Sequence, residues 1–325
     1  MAGQDGASDG PMGIALDCDP GIDDALALLA ACAAPGLALR LVTTVSGNAP
    51  ASVCAANARR VLDLAGVACV PVIRGEDRPV PEAVVHGPDG LLAFDLPPPS
   101  RPPDGTDAAA ALAGFSGTVI ALGPLTNVAA ALARGARWSR LVVMGGAIVA
   151  GNTASGAEYN FAADAAAAQA VLAARLRPTL VPLDLARTAL ATPRRIAALA
   201  AASSIGRRIA PMLLAYAEQD WIHHGLAGAM VPDLHAVAVL DRPDLYTTRP
   251  ARLAVEPSGR CREDAQAPLV DLAVAVDAEA LFCHLASRLA RLPQLSPSPY
   301  LRKDDEPGPK EPDGSTCFRP GCDLP

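Results

Sequence analysis

Short apolar runs of β type alternate with alanine-rich helical segments through the first half of this chain, and that alternation limits the folds open to it more than any other feature. GIALDCD is followed by DDALALLAACAA, LRLVTTVSG by ASVCAANARRVLDLAG, and GTVIALG by PLTNVAAALARG, with RLVVMGG beyond. Short β-branched runs that each hand on to a helical period are βαβ units. Such units build a mostly parallel sheet covered on both faces, with ligands gathered at the carboxyl ends of the strands. The expected fold is therefore α/β, an open, mostly parallel central sheet with helices on both faces, in a single domain over residues 12–292. The second half is less regular. Helices are expected near 193–220, 233–240 and 277–291, and strands at RLAVEP and PLVDLAVAV. The Pro-rich stretch from Leu96 to Pro103 reads as a surface connection, and there is no internal repeat.

Residues 1–11 are small and polar, and residues 293–325 are rich in Pro, Gly and charge. Neither can bury enough surface to offset its ordering entropy, so both are expected to be disordered. Between them, 51% hydrophobic content with only 3% aromatic residues means a core of Ala, Leu and Val. No apolar run reaches the roughly 18 to 20 residues that span a bilayer, and MAGQDGASDGP lacks the basic and apolar regions of a secretory signal. The expected location is the cytoplasm, with no membrane partner. A balance of 27 Lys+Arg against 34 Asp+Glu, with no basic stripe, argues against nucleic acid and leaves a small polar substrate. The cysteines at 18, 32, 54, 69, 261, 283, 317 and 322 are expected to be reduced thiols, six of them in apolar stretches. Cys317 and Cys322 have neither the spacing nor the histidines of a zinc site.

Candidate functional loops fall at strand ends: Asp17 to Asp24, Ser46-Gly47-Asn48, Gly123 to Asn127, and the loop after Gly145-Gly146. The first is the most unusual, because DCDPGIDDALAL sets four aspartates in eight positions where a strand gives way to a helix. A carboxylate at a helix start is favoured by the dipole, and Asp23 alone reads as an N-cap. Four need more. Two carboxylates about 4 Å apart repel by roughly 4 kcal/mol at an effective dielectric near 20, and no Lys or Arg lies close in sequence. An all-oxygen cluster suits a hard divalent cation, and calcium tolerates irregular geometry better than magnesium.

DCDPGIDDALAL resembles the signature of the nucleoside hydrolases, calcium-dependent enzymes that cleave the N-glycosidic bond of ribonucleosides. VSGN, LGPLTNVA, MGGAIVAGNTASGAEYNFAADAAAA and PDLHAVAVLDRPDL resemble further blocks of the family, in family order over roughly residues 12 to 290. The resemblance implies the nucleoside hydrolase fold, a role in nucleoside catabolism and salvage, a Ca2+ cofactor and a homo-oligomer, dimer or tetramer. It implies that Asp19, Asp24, Asp233 and the main-chain carbonyl of Thr126 ligate the metal, and that Asp19 faces the nucleophilic water. Asp23 and Asn160 would hold ribose hydroxyls, Glu158 and Asn152 the far side of the sugar, and Asn48 the hydroxyl and metal network. Asp17 would stand behind these.

Ribosyl transfer to water passes through a cation-like sugar, so such a site needs an activated water, a hold on the 2′ and 3′ hydroxyls and an outlet for leaving-group charge. The outlet is where this chain departs from the family. Many members carry a histidine before the aspartate at position 233, and here that residue is Pro232, which cannot donate a proton but suits a helix start. His235 falls about 200° round the helix from Asp233 and reads as core or surface. Base activation is therefore assigned to His223 or His224 of WIHHG, expected in a loop, with Trp221 or Tyr216 stacking on the base. His86 resembles a position near sugar and base.

Two other classes remain open on the residues alone. DCDPG loosely matches the paired aspartates of haloacid dehalogenase phosphatases, although that class has no use for Asp23-Asp24 or for GNxxxxxEYN. A calcium or nucleoside binder without turnover is the other, suggested by Pro232. A modified nucleoside or other N-riboside is a further substrate within the same chemistry.

Overall fold

The computed structural model describes residues 10–77, 87, 89–92, 94 and 96–295. In chain order the strands are β1 (Met12–Cys18), β2 (Leu37–Thr44), β3 (Val72–Arg74), β4 (Thr118–Ala121), β5 (Arg140–Met144), β6 (Thr179–Val181), β7 (Tyr246–Val255), β8 (Cys261–Glu263) and β9 (Leu269–Val276). They form one mixed sheet ordered β3-β2-β1-β4-β5-β6-β9-β7-β8. Pairing is parallel from β3 through β9, and β7 joins β9 and β8 antiparallel. The central strands are apolar on both faces because both faces are covered; every residue of β4 is buried.

The helices are α1 (Ile22–Ala33), α2 (Ala51–Leu64), α3 (Ala108–Ala113), α4 (Thr126–Ala133), α5 (Tyr159–Ala163), α6 (Ala165–Ala173), α7 (Leu183–Ala186), α8 (Pro193–Ala202), α9 (Ser204–His224), α10 (Pro232–Asp241) and α11 (Ala278–Leu289). Helix α1 is small and apolar on nearly every side, which lets it sink between α2, α10 and α11. That burial sets the start of α1 beside the start of α10. No helix among the described residues is long and apolar enough to cross a membrane.

The topology itself locates a crevice. Strand β1 has β2 on one side and β4 on the other, so the winding reverses there and the loops after β1 and β4 splay apart at their carboxyl ends.

Several local expectations need correction. The helix expected over 193–220 is two helices, divided at Ser203, whose Oγ accepts the Gly206 N–H at 2.9 Å. WIHHG is not a loop but the last turn of α9 and its stop, with Gly225 left-handed at φ 66°. Strands β3, β6 and β8 have three residues each, too few for a period-2 signal. Asp23 is not the N-cap of α1: Gly21 holds that position, and its N–H is accepted by Asp24 Oδ2 at 3.0 Å. The side chain in the third helical position reaches back, where Asp23 cannot. Of the terminal segments, residues 1–9 and 296–325, with Cys317 and Cys322, lie outside the described residues, as does His86.

Candidate active site

Asp19 is held where β1 ends. Its Oδ2 accepts the Asn48 N–H at 2.7 Å, and Asn48 Nδ2 donates to the Asp19 carbonyl and to Asp24 Oδ2, both at 3.2 Å. Gly47 and Gly123 flank the carboxylate so closely that a Cβ on either would lie 2.1 Å and 2.3 Å from its oxygens. No side chain fits at either position, which explains the glycines at the ends of β2 and β4. Asp17 lies behind this layer. Its Oδ1 accepts from Thr43 Oγ1 at 2.6 Å and Asn127 Nδ2 at 2.9 Å, while Oδ2 is buried without a partner, and burial pushes its pKa up to about 7.

The opposite wall comes from β5 onward. Glu158 caps α5, taking N–H groups from Gly146, Asn160 and Phe161 at 2.8, 2.7 and 3.1 Å. Burial raises its pKa, against the pull of those three donors. Asn160 Nδ2 donates to the Leu122 carbonyl at 2.6 Å, and Asn152 Oδ1 accepts the Tyr159 N–H at 2.8 Å. Tyr159 closes the ring through its hydroxyl, which donates to the Gly47 carbonyl at 2.8 Å. The loop bearing Asn152 is itself fastened from α7: Asp184 accepts from the N–H groups of Ile148, Val149 and Ala150, and Arg187 donates to the Gly151 carbonyl.

Helix α10 completes the floor. Asp23, Asp24 and Asp233 are buried and offer carboxylate oxygens within 4.8 Å of one another. Burial, and then mutual repulsion, raises Asp19 and Asp233 well above the usual carboxylate range, and burial pushes Asp23 up to about 7. No Lys or Arg among the described residues lines the cavity these acids share. So many oxygens without counter-charge, in a buried corner, are a donor set for a hard divalent cation, and the residues present fit one.

The cavity has a volume of about 540 Å³. It brings together Asp19, Asp23, Asn48, Asn152, Glu158, Asn160, Asp233 and His224, with Asp24 immediately beneath. Thr126 is not among its walls. Its hydroxyl donates to Asp164 at 2.5 Å and it faces a separate cavity of about 240 Å³. As the first residue of α4, its carbonyl belongs to the helix ladder. At this strand end it is Leu122 that lines the main cavity, its carbonyl accepting from Asn160 Nδ2. His223 and Trp221 also stand outside the lining, and Trp221 is 63% exposed. His235 is buried, with Nδ1 3.0 Å from the Tyr246 hydroxyl. Sequence reasoning missed Leu122, Tyr159 and Asp220; Asp220 falls one helical turn from both Tyr216 and His224, but only the structure shows that this stripe of α9 faces the cavity.

Comparison with known proteins gives one answer. A family model described as inosine-uridine preferring nucleoside hydrolase matches residues 14–283. The chain is 36% identical over 263 residues to the non-specific ribonucleoside hydrolase RihC of Escherichia coli O9:H4 (strain HS), covering 76% of this chain and 84% of that one. Among solved structures it resembles the plant nucleoside hydrolase PpNRh1 enzyme, with TM-score 0.79 and 25% identity over 86% of this chain and 99% of that one. It also resembles a purine-preferring ribonucleoside hydrolase from Gardnerella vaginalis, with TM-score 0.77 and 26% identity over 86% and 98%. The haloacid dehalogenase alternative falls with the family match.

Proposed function

The chain belongs to the inosine-uridine preferring nucleoside hydrolase family, and on that footing we propose that it hydrolyses the N-glycosidic bond of ribonucleosides to free base and ribose, with calcium at the carboxylate floor. The observation that carries the reading is the meeting of α1 and α10 acids beneath a cavity walled by Asn48, Asn152, Glu158 and Asn160.

Asp19, Asp24 and Asp233 would hold the ion, with the Leu122 carbonyl in the place expected of Thr126, and Asp23 beside them. When bound, calcium supplies a water of lowered pKa and a template for the sugar diol. Asp19 receives the proton of the attacking water; its carboxylate is fixed by Asn48 N–H and by the two glycines, so it spends no freedom on reaching that position. Asp23, Asn48 and Asn160 take ribose hydroxyls, and Asn152 and Glu158 the far side of the sugar. Tyr216 and His224, both in the lining from α9, face the base. The domain is residues 12–292, working as a cytoplasmic dimer or tetramer in nucleoside salvage.

Reducing-sugar release from a panel of purine, pyrimidine and modified nucleosides tests the reading. Release is expected with calcium, suppressed by a chelator and reduced by orders of magnitude in Asp19→Ala. Binding without release from any nucleoside would leave the binder alternative in its place.

A further inference from the structure

We propose that Asp220 is the acid that passes a proton to the departing base, a task for which this chain has no histidine at position 232. The proposal rests on the ribohydrolase reading above and names the residue that its base side still needs. Asp220 is only 2% exposed, yet it lines the substrate cavity. One oxygen is anchored, because Oδ2 accepts the Met230 N–H at 2.6 Å. Oδ1 makes no hydrogen bond among the described residues and is left as the oxygen for the cavity. Along α9, Tyr216 and His224 lie one turn before and one turn after, so the three side chains form a single stripe over the base side. Asp220 is outside the trio of acids that gathers at the floor.

Its surroundings favour holding a proton. The groups facing it are Tyr216, His223 and His224 of its own helix, Arg187 at the end of α7 and Asp23 of α1. Burial raises its pKa, opposed by the Met230 N–H and by the histidines and Arg187. A buried carboxyl anchored through one oxygen presents the other in a fixed direction, which is what general acid catalysis needs. In the step, the bond from C1′ to the base nitrogen breaks and its electron pair goes to the base ring, which takes the Asp220 proton. The water oxygen bonds to C1′ and its proton goes to Asp19. As base and ribose leave, Asp19 loses its proton to solvent and Asp220 regains one, so the balance closes.

Asp220→Asn keeps an oxygen for the Met230 N–H but has no proton to transfer. It should be compared with wild type on inosine, uridine and p-nitrophenyl β-D-ribofuranoside, whose phenolate departs without protonation. The expected result is a loss of about 10²- to 10⁴-fold in kcat on both nucleosides, with the nitrophenyl riboside cleaved within about threefold of wild type. The alkaline limb of the kcat profile for inosine should also vanish. Unchanged nucleoside rates would overturn the proposal, and so would equal losses on all three substrates, which would make Asp220 a mere anchor for Met230. A wild-type enzyme inert toward all three would remove the ribohydrolase reading, and this proposal with it.

Discussion

Asp24, in the first turn of α1, and Asp233, in the first turn of α10, bring their carboxylates into hydrogen-bonding contact although they come from opposite halves of the chain. Neither has a basic partner in the cavity lining. The packing of α1 on α10 therefore holds two acids where both can ionise only at a cost, and a bound cation would turn that cost into stabilisation.

The first prediction follows from that sign change. Without calcium, Asp233→Asn should melt no lower than wild type, because it removes an acid that can ionise beside Asp24 only at a cost. With calcium at a hundred times its Kd the wild type should gain about 2.7 kcal/mol and the variant, short of one ligand, clearly less. Scanning calorimetry with and without chelator reads both, and an equal calcium-induced shift in the two proteins would contradict the cation site.

Gly123 tests the placement of Asp19. A Cβ there would stand 2.3 Å from Asp19 Oδ1, so Gly123→Ala must move the carboxylate or the loop. A displacement near 1 Å at a reacting group costs about 10²-fold, and the loss should fall on kcat with the fold intact. Steady-state kinetics beside circular dichroism measure it, and a variant as active as wild type would count against Asp19 as the base.

Asp184 touches no substrate in this scheme, but it gathers three N–H groups of the loop that carries Asn152. Asp184→Ala should release that loop, raising KM for nucleosides more than it lowers kcat. Removal of a carboxylate from such donors costs about 1–3 kcal/mol. Asp184→Asn, which retains one acceptor, should fall between. Equal KM in all three proteins would refute the positioning role.

His235 governs a pH effect on stability. Burial depresses its pKa from 6.5 to about 4, so below pH 6.5 the unfolded chain binds a proton that the folded one refuses. Its contribution is complete above pH 6.5 and is lost as pH falls toward 4, a change of about 3 kcal/mol. Denaturant unfolding between pH 4 and 7 should show that slope in wild type and a shallower one in His235→Leu. Parallel slopes would mean that the imidazole titrates alike in the folded and unfolded chain.

The parallel sheet and the strand-end loops could be read from the chain, because doubly covered strands must be apolar throughout and each helix begins where its strand stops. The aspartate cluster was legible for a related reason, since several acids together leave a dense local mark, whereas Asn48, Glu158 and Asn160 were singled out only by the family resemblance. What remained hidden was contact between distant segments. Whether Thr126 or Leu122 turns a carbonyl to the cavity depends on where α4 begins its ladder. Whether His223, His224 or Trp221 faces inward depends on the rotation of α9, which its neighbours decide. Asp220 is an ordinary surface acid in the sequence, and only the packing of α9 beside the Met230 segment makes it a buried carboxyl with one oxygen tied. Periodicity is a property of neighbours along the chain and survives translation into sequence, whereas burial of a polar group is created by parts of the chain that the local pattern never mentions.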